Sequence, residues 1–236
     1  MDEVFGTIGY VCSVNFEPME FQKIHNKGQA QLFKNQYLEF LTKTHPLVIW
    51  GIYTPILTLL PYHAVNALQY DGTTVFLIFL AGIFFWTFTE YVLHRFLFHH
   101  HPDTESGKRI NYVLHGNHHE YPRDKERLFM PAVPSLMFAS MFFLIFYVLI
   151  GKYAIPFFPG FMFGYLIYGS MHYAIHALNP PFKWMKGLWR NHHLHHYKEK
   201  DLGFGVSSTL WDHVFGTMFD LKKEKENNEE VKKLMF

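Results

Sequence analysis

Long, nearly uncharged stretches alternate along this chain with polar segments rich in histidine. Four apolar stretches stand out, at about 46–60, 73–93, 132–150 and 154–174. A helix needs about 20 apolar residues to cross ~30 Å of hydrocarbon, and the second and third stretches meet that length. The first is short and contains Pro55, and the fourth contains Pro156, Pro159 and several glycines, so these two are expected to kink or to re-enter the membrane. The breaks at 61–72 and 151–153 are short. They join the stretches in pairs and predict two helical hairpins. The expectation is an all-α integral membrane protein, with four transmembrane helices in two hairpins. A soluble bundle is the weaker reading, because apolar runs of this length are rare in a small core. The chain divides into a polar, amphipathic segment (1–45), a membrane domain (46–220) and a charged tail (221–236). Within the first, 19–41 is expected to form one or two helices lying near a membrane surface.

Composition sharpens this reading. Of 236 residues, 49% are hydrophobic, 19% aromatic and only 17% charged, against roughly 25% charged in soluble domains. The mean hydropathy of −0.02 averages two unlike kinds of segment. A net charge of +1 gives no nucleic-acid signal. The single Cys12 excludes an internal disulfide and a thiolate-rich metal site, and the acidic, polar N-terminus is not that of a signal peptide. Cytoplasmic flanks are enriched in Lys and Arg. Lys23, Lys27, Lys34 and Lys43 precede the first stretch, Lys108, Arg109, Arg123, Lys125 and Arg127 lie between the second and third, and Lys183, Lys186, Arg190, Lys198 and Lys200 follow the fourth. The hairpin loops carry only Lys152. Both termini and the middle segment are therefore expected on the cytoplasmic side.

Histidine is the outlier, with 17 copies. The histidines cluster on that same side in four groups. These are His94 to His99 followed by His100 and His101, then His115, His118 and His119, then His172 and His176, and finally His192, His193, His195 and His196. Residues three and four apart share a helix face, so most members of each group can converge. His94 and His99 are five apart, about 140° around an ideal helix, and meet only if the helix ends or bulges between them. Ten imidazoles suffice for two metal ions with about five ligands each. Imidazole suits zinc, copper, iron and nickel alike, whereas a structural zinc site closes with four ligands, often with cysteine. His25, His45 and His63 are left as interfacial residues. Glu90, one turn before His94 and at membrane depth, and Asp212 are candidates to orient metal-bound rings.

A metal pair beside a bilayer suits a hydrophobic substrate. Hydrolytic dimetal sites usually carry carboxylate bridges, and none interrupts these motifs. Activation of O2 at iron can instead attack an unactivated C–H bond, which side chains alone cannot do. A lipid would set its polar end near the metals and run its tail between the helices, where Tyr165 and Tyr168, at helical spacing with His172, are expected to face it.

The segments HRFLFH (94–99), HGNHHEYPRDKERLFMPAVPS (115–135), HYAIH (172–176), HHLHHY (192–197) and GFGVSSTLWDHVFGT (203–217) resemble the fatty acid hydroxylase superfamily, and within it the fatty acid 2-hydroxylases that act on sphingolipid acyl chains. The resemblance covers roughly 45–220 and implies that the four-helix transmembrane unit is capped by a helical cytosolic domain holding a dimetal site. It implies His94, His99, His115, His118, His119, His172, His176, His192, His195 and His196 as ligands of two metal ions, iron for activity with zinc possible in isolated protein. It also implies O2-dependent hydroxylation at carbon 2 of a free fatty acid or a sphingolipid N-acyl chain. Sterol and carotenoid oxygenases share the histidines but match the flanks less well. A non-catalytic metal-binding or transport protein would place its ionisable ligands nearer mid-bilayer. The His-Pro pairs at 45–46 and 101–102 lack the Gly-Gly of a cytochrome b5 motif. A separate electron donor is therefore expected, of cytochrome b5 or ferredoxin type with its reductase. The expected membrane is the inner membrane in a bacterium or the endoplasmic reticulum in a eukaryote.

Overall fold

The computed structural model describes residues 24–100 and 102–220. Its regular structure is helical, with no strand among the described residues. Local chemistry sets the helix starts. His45 caps α2 (Pro46–Asn66) by accepting the Leu47 N–H at Nδ1, with Pro46 in the first turn, where its missing donor costs nothing. Asp71 caps α3 (Gly72–Val92) by accepting the Thr74 N–H at 2.9 Å. α3 runs on into a π-helical turn, Leu93–Phe98.

The first apolar helix extends past the expected break at 61–72. Pro55 and Pro61 each remove one backbone donor, and the helix continues through both to Asn66. Likewise α7 (Ala154–Ala177) is continuous through Pro159, so neither helix is broken at its prolines. α6 (Ala132–Ile150) ends at Gly151, whose φ of +57° favours glycine, and one 3-10 turn (Gly151–Tyr153) leads into α7. Phe146 packs on Phe157 and Phe142 on Phe161, with ring centroids 5.0 and 5.1 Å apart, so α6 and α7 run antiparallel. Three helical stretches are long and apolar enough to cross a membrane, Pro46–Asn66, Gly72–Phe98 and Ala132–Ala177. Their outer faces carry bare apolar side chains such as Val148, 82% exposed, and Leu47, 71% exposed.

α7 is the central helix, and α2, α3 and α6 pack around it. Its contact with α3 depends on glycine. A Cβ at Gly160 would overlap the Phe79 carbonyl, one at Gly82 would overlap that of Phe157, and one at Gly164 would lie 2.5 Å from the Trp86 Cβ. Small residues four apart let two helices touch backbone to backbone.

Of the segment expected to be helical at 19–41, residues 19–23 lie outside the described part. The remainder is an irregular strap holding one short helix, α1 (Gln36–Phe40). The Glu39 carboxylate takes the Leu32 and Phe33 N–H groups at 2.9 and 2.8 Å, so these donors are satisfied without a helix. Arg127 pairs with both Glu39 and Asp124 and thereby pins the strap to the middle segment. The middle segment holds α4 (Glu105–Asn111), a second π turn (Tyr112–Gly116) and α5 (Asn117–Glu120). α8 (Lys186–Tyr197) and α9 (Leu210–Phe215) follow α7, and Trp211 on α9 packs back against Phe88 of α3.

Candidate metal centre

Four segments deliver histidines to one end of the bundle. All ten expected ligands are there, gathered into two groups of five. One comprises His94, His99, His115, His119 and His195, the other His118, His172, His176, His192 and His196, and ligand atoms within each group lie within 4.8 Å of one another. Helix geometry explains the division. Residues i and i+4 are about 40° apart around a helix, while i+3 falls about 60° to the other side. His115 and His119 therefore serve one group while His118 serves the other. His192 and His196 mirror this, with His195 crossing over.

The five-residue gap between His94 and His99 is closed by the first π turn. A π turn bonds i to i+5, and the His99 N–H donates to the His94 carbonyl at 3.2 Å. The second π turn carries His115 itself and precedes His118 and His119, and the Asn117 side-chain amide donates to the Tyr112 and Val113 carbonyls at 2.9 Å each. His193 and His100 belong to neither group. The His193 ring stacks beside Tyr197, and His100 is exposed; His101 lies outside the described residues. His25 stacks on Tyr121, and His45 is the helix cap already described.

The donor set fits metal ions. Facing Nε2 atoms are 3.2 Å apart in His94–His115, 3.0 Å in His115–His119, 2.8 Å in His118–His172 and 2.9 Å in His176–His192. Two imidazoles bound side by side at roughly 2.0–2.1 Å sit about 2.9–3.4 Å apart. Several tautomers are set for ligation. The Nδ1–H groups of His94, His172 and His195 donate to the carbonyls of Phe204 (2.5 Å), Leu128 (3.0 Å) and Leu202 (2.7 Å), which leaves each Nε2 with its lone pair. The buried Nε2 atoms of His195 and His196 have no hydrogen-bond partner within the protein. Burial, then repulsion from neighbouring imidazoles, holds His115, His118, His119, His192 and His196 well below the usual histidine range, and burial pushes His195 down to about 4. At neutral pH these rings are unprotonated, as ligands must be.

Glu90 and Asp212 are both buried beside the centre. Each carboxylate bonds to the backbone at 204–207 rather than to a ring. The three carbonyls that hold rings, at Leu128, Leu202 and Phe204, leave no mark in a sequence, since every residue carries one.

A cavity of about 380 Å³ opens beside the histidines. It is a cleft walled by α3, α6 and α7, with His115, His118 and His172 at one end and Phe142 and Phe161 at the other. Tyr165 and Tyr168 both line it. The Tyr168 ring stacks parallel to His172 at 5.9 Å, and the Tyr165 hydroxyl accepts from Ser135 at 3.2 Å. Leu38 and Leu41 of the strap, with Leu97 and Val133, line the cleft and are also exposed, so they form its rim.

Residues 79–217 match the family model described as fatty acid hydroxylase. The chain belongs to the fatty acid hydroxylase family. It is 40% identical over 200 residues to the ceramide very long chain fatty acid hydroxylase of Saccharomyces cerevisiae, covering 82% of this chain and 50% of that protein. It is 34% identical over 205 residues to a dihydroceramide fatty acyl 2-hydroxylase of Arabidopsis thaliana, covering 86% of each. It is 32% identical over 210 residues to the fatty acid 2-hydroxylase of Mus musculus, covering 80% of this chain and 56% of that one. The chain thus spans about half the length of the yeast and mouse relatives. A solved structure of full-length scs7p, in which only the hydroxylase domain is visible, superposes with a TM-score of 0.76 at 37% identity, covering 82% of this chain and 73% of that one. The family adds an enzymatic setting to a histidine arrangement already suited to two metals.

Proposed function

We propose that this family member hydroxylates carbon 2 of a lipid acyl chain, using O2 and two metal ions held by the ten histidines. The observation that carries the reading is the joining of the two five-histidine groups to an apolar cleft. The relatives named as acyl 2-hydroxylases support the choice of substrate. Bound iron would supply activation of O2 and oxidation of an unactivated C–H bond. The chain's own residues do the rest. The cleft between α3, α6 and α7 takes the hydrocarbon and excludes water. Tyr165 and Tyr168 line the acyl path, and Tyr168 packs the tail against the His172 ring. Glu90 and Asp212 order the ligands through the 204–207 backbone. The polar end of the lipid then lies at the rim, which leaves only the first carbons of the chain opposite the histidines.

In this reading α2, α3, α6 and α7 are four spans in two hairpins, and 46–220 is the catalytic unit. The cap holding the metals faces the cytoplasm, where the Lys and Arg residues flanking the spans lie. Electrons come from a separate cytochrome b5 or ferredoxin with its reductase. The experiment is lipid mass spectrometry with and without expression of the chain, alongside His118→Ala and His195→Ala, one ligand from each group. The expected result is 2-hydroxy acyl lipids with the wild type and none with either variant, both variants still inserting in the membrane. Oxidised sterol or carotenoid in place of hydroxy acyl chains would refute the substrate assignment, and full activity in either variant would refute the dimetal mechanism.

A further inference from the structure

Two buried carboxylates from distant parts of the chain grip one short stretch of backbone. Glu90, on α3 and 3% exposed, accepts the Val206 and Ser207 N–H groups at 2.7 and 2.8 Å, and its other oxygen accepts the Ser207 hydroxyl. Asp212, on α9 and fully buried, accepts the Phe204 N–H at 2.9 Å and the Gly205 N–H at 2.8 Å. Gly205 permits this approach, since a Cβ there would lie 2.7 Å from the Asp212 carboxylate and would overlap the Ser208 carbonyl. The gripped stretch presents the Phe204 carbonyl to His94, and the Leu202 carbonyl just ahead of it meets His195, its peptide held where the Gly203 N–H donates to the carbonyl of Thr217, whose hydroxyl donates to Asp212.

Both of those histidines belong to the same group of five. The other group has one such brace, from Leu128 to His172, while the Nδ1 atoms of His118, His192 and His196 are buried with no hydrogen-bond partner within the protein. A carbonyl that accepts the distal N–H of a ligating histidine fixes its tautomer and raises its basicity, and loss of such a partner lowers metal affinity about 10–100-fold.

We infer that Glu90 and Asp212 are positioning residues for one metal centre only, that of His94, His99, His115, His119 and His195. The two centres therefore differ in affinity, and the clamped one fills first. This rests on the dimetal reading above. Glu90→Ala would remove the acceptor of the Val206 and Ser207 N–H groups, and Asp212→Asn would turn an amide donor toward the Phe204 or Gly205 N–H, each releasing the Phe204 carbonyl from its set position.

The test is a zinc titration of the metal-stripped full chain in lipid nanodiscs, competed against a chromophoric chelator. The wild type is expected to take up two equivalents in two resolved steps. Glu90→Ala and Asp212→Asn should each weaken the tighter step about 10–100-fold and leave the weaker step in place. Ser207→Ala keeps both carboxylates and removes a single donor, so it should give a smaller shift of the same step even if the carboxylate variants fold poorly. General loosening of the fold would instead move both steps together. Equal movement of both steps, movement of the weaker step alone, or two wild-type equivalents of equal affinity would overturn the inference. A wild type that takes up no zinc would overturn the dimetal reading itself.

Discussion

The backbone contact between α3 and α7 makes one substitution decisive, because these helices carry ligands on both sides of the site. Gly160→Ala adds a single methyl group. That carbon would lie 2.7 Å from the Phe79 carbonyl carbon and 2.9 Å from its Cα, and would overlap the carbonyl oxygen. These are backbone atoms, so no rotamer change relieves the clash, and the helices must separate by on the order of 1 Å. A clash with rigid backbone stands at the upper end of the overpacking range, about 2–3 kcal/mol, and the better helix propensity of alanine offsets about 1 kcal/mol. The net destabilisation is about 1–2 kcal/mol, and at roughly 2–4 °C per kcal/mol for a chain of this size the melting temperature should fall about 2–8 °C. Activity should fall further than stability. The π turn that continues α3 carries His94 and α7 carries His172 and His176, and a displacement of about 1 Å at a reacting site can cost about 100-fold in rate. The assay pairs thermal unfolding in detergent with quantification of hydroxylated lipid. Gly51→Ala is the control, since a Cβ there meets nothing within 4 Å. A Gly160→Ala protein with wild-type melting temperature and wild-type turnover would refute the close-contact argument.

Metal-stripped protein should lose stability as pH falls. Burial and mutual repulsion lower the pKa of His115, His118, His119, His192 and His196, and burial lowers that of His195 to about 4. The unfolded chain takes up protons first, from about pH 6.5, so the melting temperature should be level above that value and drop toward pH 4; a level profile down to pH 5 would contradict the buried cluster. Arg127→Met leaves the Asp124 carboxylate, 2% exposed, without its guanidinium and frees Glu39 of the strap. Breaking a buried pair costs about 3–5 kcal/mol, so limited proteolysis should show faster cleavage at Lys27 and Lys34, and unchanged cleavage would mean that the strap is held by other contacts.

Which features were visible in the sequence follows from where the physics is local. The ligand spacings of His115, His118, His119, His192, His195 and His196 are helical, and a helix converts spacing into direction without help from the rest of the fold. The same periodicity cannot say that His118 and His195 cross to opposite centres, because that depends on how four segments converge. The pair His94 and His99 looks misaligned on an α-helix and meets only through a π turn, a one-residue slip that no periodic pattern reports. Pro61 is a strong local stop signal, yet α2 continues past it, since one lost donor does not end an apolar helix. Glu90 draws attention because a carboxylate in an apolar run is costly unless paired. Its partner is nevertheless a backbone loop more than a hundred residues away, which no local pattern discloses. The strap at 24–44 carries no strong period and is expected to be helical near a membrane surface, yet it forms the rim of the cleft through Leu38 and Leu41. Residues that furnish ligands are chosen by side-chain chemistry and so stand out, whereas those that aim the ligands work through carbonyls and N–H groups common to every residue. The orientation of the site therefore had to come from the fold.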